Sequence, residues 1–202
     1  MTAATPAEVV EESPATLATY AAVPIAFEVR ERLAIGEANL RGVQLVHERV
    51  SPSYVKDYDA DPSNHPTTWA ERFDVSAWGI LAARVGGKRI GGAVIAWGGP
   101  EIDLLDGRSD LAVLWDLRVA TAHRGQGVGT ALVGAAESWA RARGAGWMKV
   151  ETQNVNVPAC RFYAGQGYEL GAVHRFAYPA LPDETQLLWY RRLLGGSPAL
   201  RR

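Results

Sequence analysis

Residues 112–130 read AVLWDLRVATAHRGQGVGT. A short apolar run carrying Asp116 and Arg118 breaks into a loop with glycines at 125, 127 and 129, and an amphipathic stretch follows at once. A strand that ends in a glycine-rich turn and feeds a helix gathers free backbone N–H groups at one point. The helix N-terminus adds about half a positive charge there. Gly125, Gly127 and Gly129 strip the loop of side chains, so a ligand can reach the backbone and positive φ is accessible. Arg124 sets a cation beside them. The combination suits a diphosphate; the plain alternative is a tight turn that packs a helix on a sheet.

Downstream, Val128, Leu132, Ala135, Trp139 and Ala142 form one helical stripe, with Glu137, Arg141 and Arg143 off it. Gly144, just past two arginines, stops the helix. WMKVETQ (147–153) reads as a strand and VPACRFYAGQGY (157–168) as a short helix with Pro158 near its start. GAVHRFAY (171–178) and QLLWYRRLL (186–194) read as two strands around the loop PALPDE (179–184).

Upstream, WGILAARVGGKRIGGAVIAWGG (78–99) is a hairpin about the turn signal GGKRIGG, and PEIDLLDGRSD (100–110) is a polar insertion. PIAFEVRERLAI (24–35) and VQLVHERV (43–50) read as strands, and residues 54–74 as a loop with a helical turn. Antiparallel candidates followed by strand–helix–strand–helix–strand–strand predict an α+β fold with a mixed, mostly antiparallel sheet flanked by helices.

The 202 residues suffice for one domain, with flexible tails expected over 1–23 and 195–202 around a domain at 24–194. A formal net charge of −1 gives no global pull toward nucleic acid or membrane. One cysteine excludes an internal disulfide. With no leader pattern and no apolar run of membrane-spanning length, a cytoplasmic protein is expected.

Three phosphate-binding designs compete for the glycine loop. The ATPase-type loop needs a lysine before Ser or Thr, and here Gly129 is followed by Thr130 and Ala131. The dinucleotide fingerprint finds an acid at a suitable distance in Glu151, which keeps an NAD-dependent oxidoreductase in view. However, Thr130 takes the place of its third glycine, and Asp116 and Arg118 do not suit a strand buried on both faces. The third design fits: RGQGVGT resembles the acyl-CoA signature of the GNAT superfamily of N-acetyltransferases, with Arg124, Gly127 and Gly129 at its defining positions. Within it the chain is most similar to streptothricin acetyltransferases. The similarity runs through Arg124–Leu132, Glu151–Gly167 and Trp189–Tyr190, with YVKDY (54–58) a looser match. The insertion GGPEIDLLDGRSD and the absence of a long acidic run depart from those enzymes, both on the acceptor side.

The resemblance implies acetyl-CoA as co-substrate, with its pantetheine arm along Leu117, Arg118 and Val119. The diphosphate would lie on Arg124, Gly125, Gln126, Gly127, Val128, Gly129 and Thr130, with Asn156 and Tyr163 also at the cofactor. It further implies direct transfer to a small-molecule primary amine, Tyr163 giving a proton to the departing thiolate, and possible homodimerisation as in other members. A CoA-binding sensor without turnover is the alternative.

Asn156 also suits a helix cap. The general base is open between Asp116, which shares a strand face with Arg118 and reads equally as its structural partner, and Glu151 at the end of the next strand. Alternation points Trp115, Leu117 and Val119 the other way. Cys160 reads as packing, although a helix N-terminus would lower its pKa. His47, His65, His123 and His174 lack metal-ligand spacing, so no metal is expected. Trp139 and Trp147 read as core; Trp69, Trp78 and Trp97 are core or cleft wall. Asp57, Asp59, Asp61, Glu71, Asp74, Glu101 and Asp103 are acids available to a cationic acceptor.

Overall fold

A computed structural model of the chain describes residues 7–40 and 42–193. Nine strands and four α-helices occupy them: β1 (Glu8–Glu12), α1 (Leu17–Ala21), β2 (Phe27–Asn39), β3 (Gly42–Lys56), α2 (Trp69–Arg72), β4 (Gly79–Val85), β5 (Lys88–Ala96), β6 (Leu111–Val119), α3 (Val128–Ala142), β7 (Trp147–Gln153), α4 (Val157–Gly165), β8 (Glu169–His174) and β9 (Gln186–Arg192). Seven strands form one sheet in the order β1-β4-β5-β6-β7-β9-β8. Only β6 and β7 run parallel; the other neighbours are antiparallel. This is the mixed, mostly antiparallel α+β fold that the sequence predicts.

The sheet is buried on both faces. One face carries α3, through Val128, Leu132, Val133, Ala136, Trp139 and Ala140. The expected stripe is rotated by about one position: Ala142 is exposed, while Glu137 turns inward and meets Arg191 at 3.2 Å. The opposite face is covered by an aromatic layer in which Trp69, Trp78 and Tyr20 pack with Phe73 and Trp115. Trp69 and Trp78 are therefore core, and Trp69 also reaches the cleft described below.

Three expectations need correction. Residues 7–23 are no tail: β1 adds to β4, Glu11 accepts from the Trp139 indole at 2.7 Å, and Leu17 and Tyr20 are buried. The Ala-, Thr- and Glu-rich composition hides this, because a five-residue strand draws its stability from partners rather than from local pattern. Residues 1–6 and the expected tail at 195–202 lie outside the described residues. The strands expected at 24–35 and 43–50 run longer and pair only with each other, as a two-stranded ribbon apart from the sheet. Lastly, the β8 strand ends at His174, so residues 175–178 belong to a loop.

Gly92 shows how the sequence positions Tyr20. A Cβ there would stand 2.6 Å from the Tyr20 ring, so only glycine lets the ring approach β5 this closely.

Candidate active site

A bulge opens the sheet. Val94 pairs with Asp116 but Ile95 pairs with Leu114, which leaves Trp115 as an extra residue in β6. The alternation flips there: Trp115 joins the aromatic layer on the same face as Asp116 and Arg118, contrary to the strict period of two, while Leu117 and Val119 turn to the α3 face. β6 pairs with β7 over four positions, Leu111↔Trp147 to Leu114↔Val150, and then the strands part. Between them lies a cleft of about 750 Å³. Leu117, Arg118 and Val119 line one wall, Glu151, Thr152 and Gln153 the other, and Asn156 and Tyr163 of α4 lie alongside.

The glycine loop closes one end of the cleft. Gly125 and Gly127 have φ of 73° and 84°, and Gly127 caps α3 without any side-chain hydrogen bond. The first-turn N–H groups are therefore open to a ligand. A Cβ on either glycine would meet nothing within 4 Å, so backbone conformation rather than crowding requires them, and the space beside the loop is open. Gly129 differs, since its Cβ would stand 3.3 Å from Phe162 and its absence lets α3 approach α4. Arg124 is fixed by its Nε, which donates to the Val119 carbonyl at 2.9 Å, and by Nη2, which donates to Ala26 at 3.3 Å. Gln126 donates to Ala122 at 2.9 Å, Val128 is core, and the Thr130 hydroxyl accepts from Gln166 at 3.2 Å. Gln126 and Val128 do not line the cleft, whereas Arg124, Thr130 and the three glycines do. An open helix N-terminus with a held guanidinium fits a diphosphate.

Asn156 caps α4, its Oδ1 accepting from Ala159 N at 3.2 Å, and its Nδ2 donates to the Tyr58 hydroxyl at 3.4 Å. The Tyr163 ring is held edge-on by Phe162 and Tyr168 at centroid distances of 5.2 and 5.6 Å. Its hydroxyl has no hydrogen-bond partner among the described residues. Burial, then the nearby Asp116 carboxylate, push the phenol pKa well above its ordinary value. Cys160 lies on the same helix, and burial raises its thiol pKa against the lowering expected from the helix N-terminus.

Asp116 and Arg118 form the centre of a buried network. Arg118 Nε and Nη2 donate to the two oxygens of Asp116 at 2.9 and 2.8 Å, and Nη1 and Nη2 donate to Asp59 at 2.9 and 3.2 Å. Nη1 also donates to the Val23 carbonyl at 3.1 Å, so all five guanidinium donors are used. The Tyr20 hydroxyl, fully buried and with its pKa raised by burial and by Asp116, donates to Asp116 Oδ1. Both Asp116 oxygens are thus committed to holding the N-terminal segment, β6 and the 57–61 turn together.

Glu151 and Asp116 both line the cleft. They differ in their partners: Asp116 is ion-paired with Arg118, whereas Glu151 accepts from neutral groups, Tyr178 at Oε1 and Gln186 at Oε2 at 2.8 Å. Tyr178 stands on the β8–β9 loop that the sequence reads as strand, and no local pattern marks it. Tyr58, which donates to the Gln153 side chain, is carried by the YVKDY segment. Of the acceptor-side acids, Asp57, Asp61 and Asp74 accept backbone N–H groups two residues on, and only Asp59 reaches the cleft. The described residues hold no group of three or more His, Cys, Asp or Glu suited to a metal ion.

The acetyltransferase (GNAT) family model matches residues 43–168. This chain belongs to the GNAT acetyltransferase family. It is 33% identical over 153 residues to a streptothricin acetyltransferase of Escherichia coli, covering 74% of this chain and 76% of that protein. It is 28% identical over 149 residues to one of Streptomyces lavendulae, covering 74% and 75%. Among solved structures it is similar to a nourseothricin acetyltransferase, with a TM-score of 0.74 at 25% identity, covering 94% of this chain and all of that one. A Bacillus anthracis structure assigned as a streptothricin acetyltransferase, in complex with acetyl coenzyme A, gives a TM-score of 0.72 at 25% identity over 94% and 99% of the two chains. The protein is an acetyl-CoA-dependent N-acetyltransferase. The oxidoreductase reading of the glycine loop falls with that assignment. No helix among the described residues is long and apolar enough to cross a membrane.

Proposed function

We propose that the enzyme acetylates a primary amine of a streptothricin-like antibiotic. The observation that carries this reading is the similarity to streptothricin acetyltransferases over three quarters of both chains. In the reading, the diphosphate sits on Arg124 and the N–H groups of the glycine loop, and the pantetheine arm runs beside Leu117, Arg118 and Val119.

Bound acetyl-CoA supplies an activated thioester; the protein's tasks are alignment, oxyanion stabilisation and proton transfer. An alkylammonium with pKa near 10.4 costs about 4.6 kcal/mol to neutralise at pH 7. Glu151 orients that ammonium and relays its proton through a water, because it lines the cleft and its charge is not paired with a cation there. Asp116 is a positioning residue, since its charge is already paired with the Arg118 guanidinium, whereas Glu151 has only the neutral partners Tyr178 and Gln186. Tyr163 holds its proton in the cleft and releases it only as thiolate charge develops. The burial that raises the phenol pKa also raises that of a thiol at the same place, which keeps the two comparable.

The enzyme acts in the cytoplasm, where acetyl-CoA is available, and as a homodimer like other members of its superfamily; sedimentation velocity checks the latter. The test of the reaction is thiol release from acetyl-CoA with streptothricin, aminoglycosides, polyamines, amino acids and N-terminal peptides. Rapid release with streptothricin is the expected result. Silence across the panel with acetyl-CoA still bound would favour a CoA-binding sensor instead.

A further inference from the structure

We propose that Tyr178, on the β8–β9 loop, is the positioning residue for Glu151, holding its carboxylate at the cleft as the last donor of a one-way hydrogen-bond chain that starts on the backbone of α4. The proposal deepens the reading of Glu151 given above and rests on it.

The direction of the chain follows from one end. The Ala159 N–H can only donate, and it donates to Asn156 Oδ1 at 3.2 Å. That fixes the Asn156 amide, so Nδ2 faces the Tyr58 hydroxyl and donates to it at 3.4 Å. The Tyr58 hydrogen goes to Gln153 Oε1. With its oxygen taken, Gln153 turns Nε2 to the Tyr178 hydroxyl and donates at 3.1 Å, with Glu151 Oε1 at 3.5 Å. The Tyr178 hydrogen is left for Glu151 Oε1. Every link accepts on one side and donates on the other, and the chain ends on a group that accepts.

Both phenols keep their place in it. Burial raises the pKa of Tyr58 and of Tyr178, with Glu151 a further cause at Tyr178, so neither hydroxyl loses its hydrogen in the neutral range. The Tyr58 ring is packed by Phe27 at a centroid distance of 5.6 Å. A phenol that accepts from an amide cannot pass a proton onward, because the Gln153 N–H behind it has no basic site. Tyr178 therefore aims the carboxylate and does not relay its proton.

The two donors to Glu151 have different origins. Gln186 donates to Oε2 at 2.8 Å and lies opposite Gln153 in the β7–β9 ladder, so the sheet itself sets that donor. Tyr178 comes from the loop that joins β8 to β9. Glu151, Gln153, Asn156 and Tyr58 line the cleft, and Tyr178 does not. It acts on the reaction only through Glu151. One donor on each oxygen fixes the plane of the carboxylate and leaves lone pairs for a water in the cleft.

The experiment is a double-substitution cycle on acetyl transfer to streptothricin, with the parent chain, Tyr178→Phe, Glu151→Gln and the two combined. Tyr178→Phe keeps the ring and removes the hydroxyl. Its kcat is expected to fall about tenfold at neutral pH with KM for acetyl-CoA unchanged, and the loss to shrink as pH rises toward the acceptor's own pKa. In the Glu151→Gln background the same substitution should cost nothing more. A merely structural tyrosine would lower activity alike in both backgrounds and at every pH, and either that result or an unaffected Tyr178→Phe overturns the proposal. The two readings fail separately. An impaired Glu151→Gln beside an unaffected Tyr178→Phe defeats this inference alone, whereas full activity in Glu151→Gln defeats the base and its positioning residue together. Crystal structures of the acetyl-CoA-bound parent and Tyr178→Phe test the placement without any acceptor. A displaced Glu151 carboxylate, or one in several conformers, supports the proposal, and an unmoved single conformer overturns it.

Discussion

The two sides of the cleft are built differently. On the cofactor side the working parts are main chain: the parted edge of β6, two glycines with positive φ, and the open first turn of α3, all within residues 111–130. On the acceptor side they are side chains drawn from distant segments. Tyr20 and Asp116 are 96 residues apart, Asp59 and Arg118 are 59 apart, and Glu151 and Gln186 are 35 apart. A backbone site tolerates side-chain drift but not a change of backbone conformation. A side-chain network fails when any one member is removed. The substitutions that separate these behaviours follow.

The largest effect is expected on the cofactor side, from Gly127→Trp. The position is open and its φ is 84°, so a β-carbon is strained there and the indole fills the space assigned to the diphosphate. Acetyl-CoA binding should be abolished in calorimetry, while circular dichroism retains the native fold. Retained affinity would move the diphosphate elsewhere and break the comparison at its root.

Next comes Arg118→Leu, on the network side. It leaves Asp116 and Asp59 buried or half-buried without their guanidinium, a loss on the order of 3–5 kcal/mol. Thermal denaturation should show Tm lower by roughly 10 °C. A small change would mean that water replaces the guanidinium and that the network is less essential than its five donated hydrogen bonds suggest.

This contrast also explains what the sequence could reveal. RGQGVGT is legible because a backbone site is encoded by consecutive residues, and the α3–β7–α4 order follows from periodicity alone. The bulge at Trp115 was hidden, since nothing in LAVLWDLRV marks an inserted residue, and its consequence is that Trp115 and Asp116 share a face. Tyr20 and Tyr178 were hidden for another reason. Each acts through a partner distant in the chain, and each sits in a segment whose composition reads as something else. The Asp116–Arg118 pair was legible as a possibility; that Tyr20 and Asp59 join it was not, since both are distant in the chain.

A smaller effect is expected from Tyr163→Phe, which removes a hydroxyl and keeps the ring packing against Phe162 and Tyr168. If Tyr163 supplies the proton, kcat should fall by about a hundredfold with acetyl-CoA affinity unchanged. The pH profile adds a sharper check. The phenol pKa is raised, so Tyr163 stays protonated throughout the range in which the enzyme is assayed. Any rise of activity with pH must then come from loss of a proton elsewhere, from the acceptor ammonium or its base. The substitution should lower the whole profile without displacing its midpoint, and a displaced midpoint would assign Tyr163 to the titrating step.

The smallest effect, and the one that decides between the two carboxylates, belongs to Asp116→Asn. The amide keeps an oxygen for the Tyr20 hydroxyl and for one Arg118 donor, while Asp59 continues to neutralise the guanidinium. A group that only holds β6 in place should therefore cost less than about threefold in kcat, with a Tm lower by a few degrees. Glu151→Gln offers the contrast, because Tyr178 and Gln186 already satisfy the side chain and the fold has little reason to suffer. Its kcat should fall by about a hundredfold at neutral pH and recover as pH rises toward the acceptor's own pKa, where the amine no longer needs a base. If Asp116→Asn shows that pH-dependent recovery and Glu151→Gln does not, the base belongs to the buried network. The separation between a structural side-chain network and the open site beside it would then fail at this residue.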